Sequence, residues 1–157
     1  MIKVSLEIAT VEDATNIYDI QVKAFLPLLE KYKDFDTNPA YESIDRVITR
    51  ITNPQGMFYK IMANQKLVGA ICVLWKKEKH FWISPMFIHP EYQGQGIAQK
   101  AILLAEELFQ QAISWELATI LEEESNCYLY EKMGYTRTEE KRKINENTTL
   151  VFYKKVV

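Results

Sequence analysis

At 157 residues the chain has the length of one domain, enough to bury roughly two-thirds of the surface of its unfolded form. With 48% hydrophobic residues and a net charge of −2, disorder is excluded, and nothing in the charge calls for nucleic acid or an anionic membrane as partner. The opening Met-Ile-Lys-Val-Ser-Leu-Glu has no sustained apolar region, and the longest apolar run, residues 67–75, is under half of the ~20 residues a membrane span needs. The expectation is a soluble, cytoplasmic protein. Its two cysteines, Cys72 and Cys127, are far apart and unmatched by any disulfide or nucleophile pattern, which fits a reducing compartment.

Residues 2–8 alternate apolar and polar, with Ile2, Val4, Leu6 and Ile8 on one face of an edge or half-buried strand. Thr10 with Asp13 makes a capping-box-like start, after which Ala14, Ile17, Tyr18, Gln21, Val22 and Phe25 recur at helical spacing. The apolar stripe continues past Pro27 through Leu29. A polar stretch, 33–39, separates it from a second helix expected over 40–51, and Asn53-Pro54-Gln55-Gly56 is a turn. Residues 57–63, 66–77 and 80–88 read as a meander of three strands. From Gly96 a helix sets Ile97, Ala101, Leu104, Leu108 and Ala112 on one face, with Glu106, Glu107, Gln110 and Gln111 largely on the other. The strand at 115–121 follows that helix, so a parallel crossover is expected. A short helix, 125–133, with Gly134 as its C-cap, leads to a closing hairpin of 135–144 and 148–156. The order is β-α-α-β-β-β-α-β-α-β-β: one α/β domain, without repeats or linkers.

Two of the five glycines, Gly94 and Gly96, fall in one turn between the strand at 80–88 and the helix after it. Glycine lets a backbone curl tightly and lets a ligand lie against it. A strand, a glycine turn and a helix N-terminus together favour an anion such as a phosphate, although the same arrangement also serves as a plain connector. The Rossmann spacing fails because residue 99 is Gln, and no Gly-Lys-Ser/Thr follows for a Walker loop. What fits is Gln/Arg-x-x-Gly-x-Gly/Ala, filled by Gln93, Gly96 and Ala98. With His-Pro-Glu-Tyr just upstream, this resembles the acetyl-CoA signature of the GCN5-related N-acetyltransferase (GNAT) family. Leu129-Tyr130-Glu131-Lys132-Met133-Gly134-Tyr135 is similar to that family's Leu-Tyr-x-Lys-x-Gly-Phe/Tyr segment. The order of elements is the family's as well, so the resemblance spans the whole chain. It implies a single GNAT domain with a central mixed, mostly antiparallel sheet flanked by helices.

The resemblance implies acetyl-CoA as co-substrate, its pyrophosphate on the N–H groups of Gln93, Gly94, Gln95, Gly96, Ile97 and Ala98. Its pantetheine arm would lie along Met86, Phe87 and Ile88 as a pseudo-strand, entering between that strand and the one at Trp115. Pro85, which lacks a ladder N–H, marks an edge, bulge or opening there, or is incidental. Tyr130 is implied as the general acid for the departing thiolate, with reference pKa values of ~10 for a phenol and ~8.5 for a thiol; helical spacing alone equally allows a core aromatic. The family's cofactor-binding Asn falls here on Glu123, and Asn126, four residues before Tyr130, stands in as an arm contact or a helix N-terminal residue. Glu123 reads as acceptor-binding or as an acid favoured by the helix dipole.

The base is open. The position matching a carboxylate in some branches is Trp82, leaving His80, Glu78, Glu123 or water, while His89 reads as a turn contact. No metal constellation is present, and Lys100 is either a 3′-phosphate contact or a solvated lysine. Phe25, Tyr32, Phe35, Trp82 and Tyr128 are expected to make an aromatic acceptor pocket for a small-molecule or peptide amine. The implied activity is direct transfer of an acetyl group to a primary amine; the alternative is a CoA-binding module without turnover. The oligomeric state is open, a homodimer included.

Overall fold

The computed structural model describes all 157 residues. Its strands are β1 (Val4–Ile8), β2 (Gly56–Ala63), β3 (Lys66–Lys77), β4 (His80–Ile88), β5 (Ser114–Ile120), β6 (Thr136–Asn145) and β7 (Thr148–Val156). They form one sheet in the order β1-β2-β3-β4-β5-β7-β6. Every neighbouring pair is antiparallel except β4–β5, the crossover expected from the helix between them. The helices are α1 (Ala14–Tyr32), α2 (Ile44–Thr52), α3 (Ile97–Leu108) and α4 (Glu124–Lys132). No helix is long and apolar enough to cross a membrane.

The sheet is covered on both faces, and β3 shows why its sequence is a continuous apolar run instead of an alternation. Ala70 and Cys72 face a cluster with Ala14, Ile17 and Ile20 of α1, Val47 of α2, and Phe58 and Phe87. Ile71 and Val73 face the other cluster, where Ile97, Ala101, Ile102 and Ala105 of α3 pack with Trp115, Leu117 and Tyr153. Burial pushes the Cys72 thiol up to about 12, as suits a small core residue, and both cysteines are free. The outer strand β6 is mostly exposed, and its run of charged residues keeps that edge from pairing with another chain.

Two predicted elements differ from what forms. In α3 the inward stripe is Ile97, Ala101, Ile102 and Ala105, whereas Leu108 is 54% exposed and Leu104 only half-buried. Periodicity gives the helix period but not its phase when both faces are apolar. The small side chains of Ala101 and Ala105 set the phase by letting α3 lie close to the sheet. The expected helix over 40–51 is instead a 3-10 turn at Pro39–Tyr41 followed by α2. Thr10 and Asp13 do make the capping contact, with Thr10 N–H donating to Asp13 Oδ2 at 2.8 Å, although the first turn there is 3-10.

Candidate active site

The site begins where β4 and β5 part. The two strands pair only from His80 to Trp82 against Ser114 to Glu116. Beyond that point the facing edges of both are free, and a cavity of about 360 Å³ opens between them, lined by Ile83, Ser84, Pro85 and Met86 on one side and Leu117 to Ile120 on the other. Pro85 sits both in this opening and beside an irregularity in the β3–β4 pairing, so its missing N–H takes nothing from the ladder.

At the end of β4 the chain turns through residues 89–96. His89 N–H donates to Val68 O at 2.7 Å, and its ring Nδ1 accepts from Glu91 N–H at 3.1 Å, a turn contact as expected. Gln93 Nε2 reaches back to Ile88 O at 2.9 Å, bracing the loop. Gly94 and Gly96 have φ of +77° and +79°, and a Cβ on either would meet nothing within 4 Å. The turn is left-handed, strained for any other residue, and open on its outer side. Gly96 N-caps α3 without a side chain, so the unsatisfied N–H groups of the first turn face outward with the positive end of the helix dipole.

This loop forms one wall of a second cleft, of about 590 Å³. Met86, Phe87, Ile88, Gln93, Gly94, Gly96, Ile97, Ala98 and Asn126 all line it. Gln95 does not; its side chain turns back to Glu91 O at 3.4 Å. An open glycine cradle at a helix start, continuous with a free strand edge, fits a diphosphate carried on a long arm. Lys100 is not a cleft residue: it is half-buried, and its Nζ donates to Ile2 O at 3.0 Å.

Three tyrosines pack together on the far side, with Tyr130 6.3 Å from Tyr135 and 6.1 Å from Tyr153 between ring centroids. Tyr135 gives its hydroxyl to Glu106 at 2.9 Å, and Tyr153 gives its own to Glu131 at 2.6 Å. The Tyr130 hydroxyl is committed to no carboxylate, and Tyr130 with Asn126 lines both the cleft and the cavity. Desolvation, with a smaller contribution from Cys127, pushes the Tyr130 phenol up to about 12. At neutral pH the phenol therefore carries its proton. Glu123, by contrast, is occupied: its Oε2 accepts from the Tyr32 hydroxyl at 2.5 Å and from Lys31 Nζ at 3.3 Å. With Asn145 Nδ2 donating to Tyr32 O at 2.7 Å, the end of α1 is pinned to α4 and to the β6–β7 turn, which shapes the cavity in advance.

Of the five aromatics expected around the acceptor, Phe25 and Trp82 line the cavity. Tyr32 is buried on Glu123. Phe35 is 48% exposed against Tyr41, and Tyr128 is 67% exposed. Phe152 takes their place, 6.0 Å from Trp82. His80 is held by Ser114 Oγ at 2.7 Å at the closed end of the β4–β5 pair, and Glu78 lies in the exposed β3–β4 turn. Neither lines the cavity. The carboxylate that does is Asp34, joined there by Arg142. Both were missed because Asp34 lies in a segment that reads as a polar loop and Arg142 in a run of surface charges; no local signal marks either.

The Acetyltransferase (GNAT) family matches residues 15–135. YrkN, an uncharacterised protein of Bacillus subtilis (strain 168), is 27% identical over 136 residues, covering 85% of this chain and 73% of its own. Among solved structures, the ribosomal-protein-S18-alanine N-acetyltransferase of Escherichia coli superposes with a TM-score of 0.80 at 12% identity, over 99% of this chain and 94% of that one. The PaiA N-acetyltransferase of Thermoplasma acidophilum, in complex with coenzyme A, gives 0.79 at 15% identity over 99% of each chain. With the family match covering most of the chain, this protein belongs to the GNAT family of acetyltransferases, and acetyl-CoA is its co-substrate.

Proposed function

We propose that the protein transfers an acetyl group from acetyl-CoA directly to a primary amine, with both substrates bound at once. The observation that carries this reading is that the cleft and the cavity share Phe25, Leu28, Met86, Asn126 and Tyr130, so two ligands can meet at Tyr130 without the enzyme carrying the acyl group itself. The main-chain N–H groups of residues 93–98 hold the pyrophosphate, the free edge at Met86, Phe87 and Ile88 holds the arm, and Asn126 offers an amide from α4. Bound acetyl-CoA supplies an acyl carbon open to attack and a thiolate leaving group. N–H groups on the free β4 edge polarise the carbonyl. The incoming ammonium first loses one proton to solvent. Tyr130 Oη then gives its proton to the leaving group and regains one from the acylated nitrogen. The free thiols of Cys72 and Cys127 support a reducing, cytoplasmic setting.

Initial rates of thiol release, measured while both substrates are varied, test the mechanism. Intersecting reciprocal plots are expected, and parallel plots would contradict direct transfer. Trp82, standing in the cavity instead of a carboxylate, favours a second reading as a CoA-binding module. Acetyl-CoA binding without thiol release across a broad amine panel would select it.

A further inference from the structure

The acceptor cavity is lined by two side chains of opposite charge, Asp34 and Arg142, and neither is in an ion pair with another side chain. Asp34 follows Lys33, whose left-handed backbone ends α1. It is 4% exposed, and the only side-chain hydrogen bond to its carboxylate comes from Asn38 Nδ2 at 3.1 Å. It takes part in none of the ion pairs of the chain. Its second oxygen accepts no hydrogen bond from the protein, so a cationic group in the cavity can complete the shell of the carboxylate. Arg142 stands on β6 opposite Leu150 of β7; it is exposed to solvent along part of its side chain and takes part in no ion pair. Its neighbours Lys141 and Lys143 do not line the cavity, whereas Arg142 and Ile144 do, as the alternation of a strand requires. Phe25, Trp82, Leu117 and Phe152 supply apolar and aromatic wall on the same cavity.

We infer that the acceptor is a small zwitterion, an amine carrying its own carboxylate on an apolar or aromatic body, with Asp34 receiving the ammonium and Arg142 the carboxylate. This rests on the acetyl-transfer reading above and narrows its substrate class. The volume of about 360 Å³ lies at the small end of ligand pockets, which run from ~300 to ~1,000 Å³. A diamine would bring a second cation toward Arg142. A peptide N-terminus would offer an amide where the guanidinium presents a fork matched to a carboxylate. Sites built around a polar group reject analogues lacking it, because the protein partner is then left unpaired.

The test uses the full-length protein at saturating acetyl-CoA, with thiol release as the readout. The probes are matched sets: free amino acids with apolar or aromatic side chains, their amides, and the corresponding amines without the carboxylate. The expected kcat/KM is about tenfold or more higher for the free acids. Arg142→Ala should collapse the acid-to-amide ratio toward one, chiefly through KM for the acids. Asp34→Asn should raise KM for all three kinds of probe by about tenfold, with calorimetric binding of acetyl-CoA reporting that the variant is folded. Equal kcat/KM across a matched set, or a ratio that survives Arg142→Ala, overturns the zwitterion and leaves acetyl transfer standing. Absence of thiol release from every amine, with acetyl-CoA bound, overturns both together.

Discussion

The cleft and the cavity that meet at Tyr130 are built in opposite ways. The cleft owes its binding wall to one contiguous stretch, residues 86–98, and offers mainly backbone: a free strand edge, two glycines in left-handed turns and the start of α3. The cavity draws on α1, the loop after it, β4, β5, α4, β6 and β7, and offers side chains: Asp34, Arg142 and an apolar wall. Main-chain recognition suits a ligand that never changes, since N–H groups are the same whatever the side chains are. Recognition by converging side chains can be rewritten one residue at a time. The difference predicts that acceptor choice can vary while the coenzyme site stays as it is.

The sharpest break in that comparison lies at the junction. Tyr130→Phe should lower kcat by ~10²–10⁴ with little change in acetyl-CoA affinity measured by calorimetry; an undiminished kcat would remove Tyr130 as the proton donor. Next comes the backbone wall. Gly96→Val introduces a β-branched residue at φ +79°, where even an unbranched side chain costs about 1–2 kcal/mol, and it places methyl groups where the diphosphate approaches. Acetyl-CoA should bind at least about tenfold more weakly, while the acceptor cavity is untouched. A folded variant with unaltered affinity would show that the loop is only a connector.

Smaller again is Asn126→Ala. One hydrogen bond contributes about 0.5–1.5 kcal/mol, so KM for acetyl-CoA should rise by about two- to tenfold; no change would return Asn126 to a helix-start residue. The smallest effect is on stability in alkali. Tyr130 ionises near 10 when unfolded and is pushed up to about 12 in the fold, so between those values the folded state holds the proton more tightly. Its contribution is complete below pH ~10 and is lost as pH rises through the folded value. The melting temperature should therefore fall less steeply over this window in Tyr130→Phe than in the parent.

Much of the fold was legible because it is written in local patterns. Thr10 with Asp13, the strands 66–77 and 80–88, Gly134 after α4 and the parallel crossover into β5 each follow from neighbouring residues. What was not legible involved choices between locally equivalent alternatives. Leu104 and Leu108 suit an inward face of α3 as well as Ile102 and Ala105 do, until the sheet decides. Tyr32, Phe35 and Tyr128 are as aromatic as Phe152, yet of these four only Phe152, on β7 opposite Ala118 of β5, lines the cavity.

The amino-acid sequence alone determined the glycine turn and helix start on which the coenzyme site is proposed, since left-handed glycines and a helix start are properties of a few adjacent residues and act through the backbone they shape. Only the tertiary structure decided the cavity proposed for the acceptor. Asp34 and Arg142 are separated by most of the chain, and each looks like an ordinary surface charge. They acquire meaning when the splay of β4 from β5 and the pinned end of α1 place them on one cavity. Electrostatic partnership depends on distance through space and on desolvation, and neither is encoded in the spacing of residues along the chain.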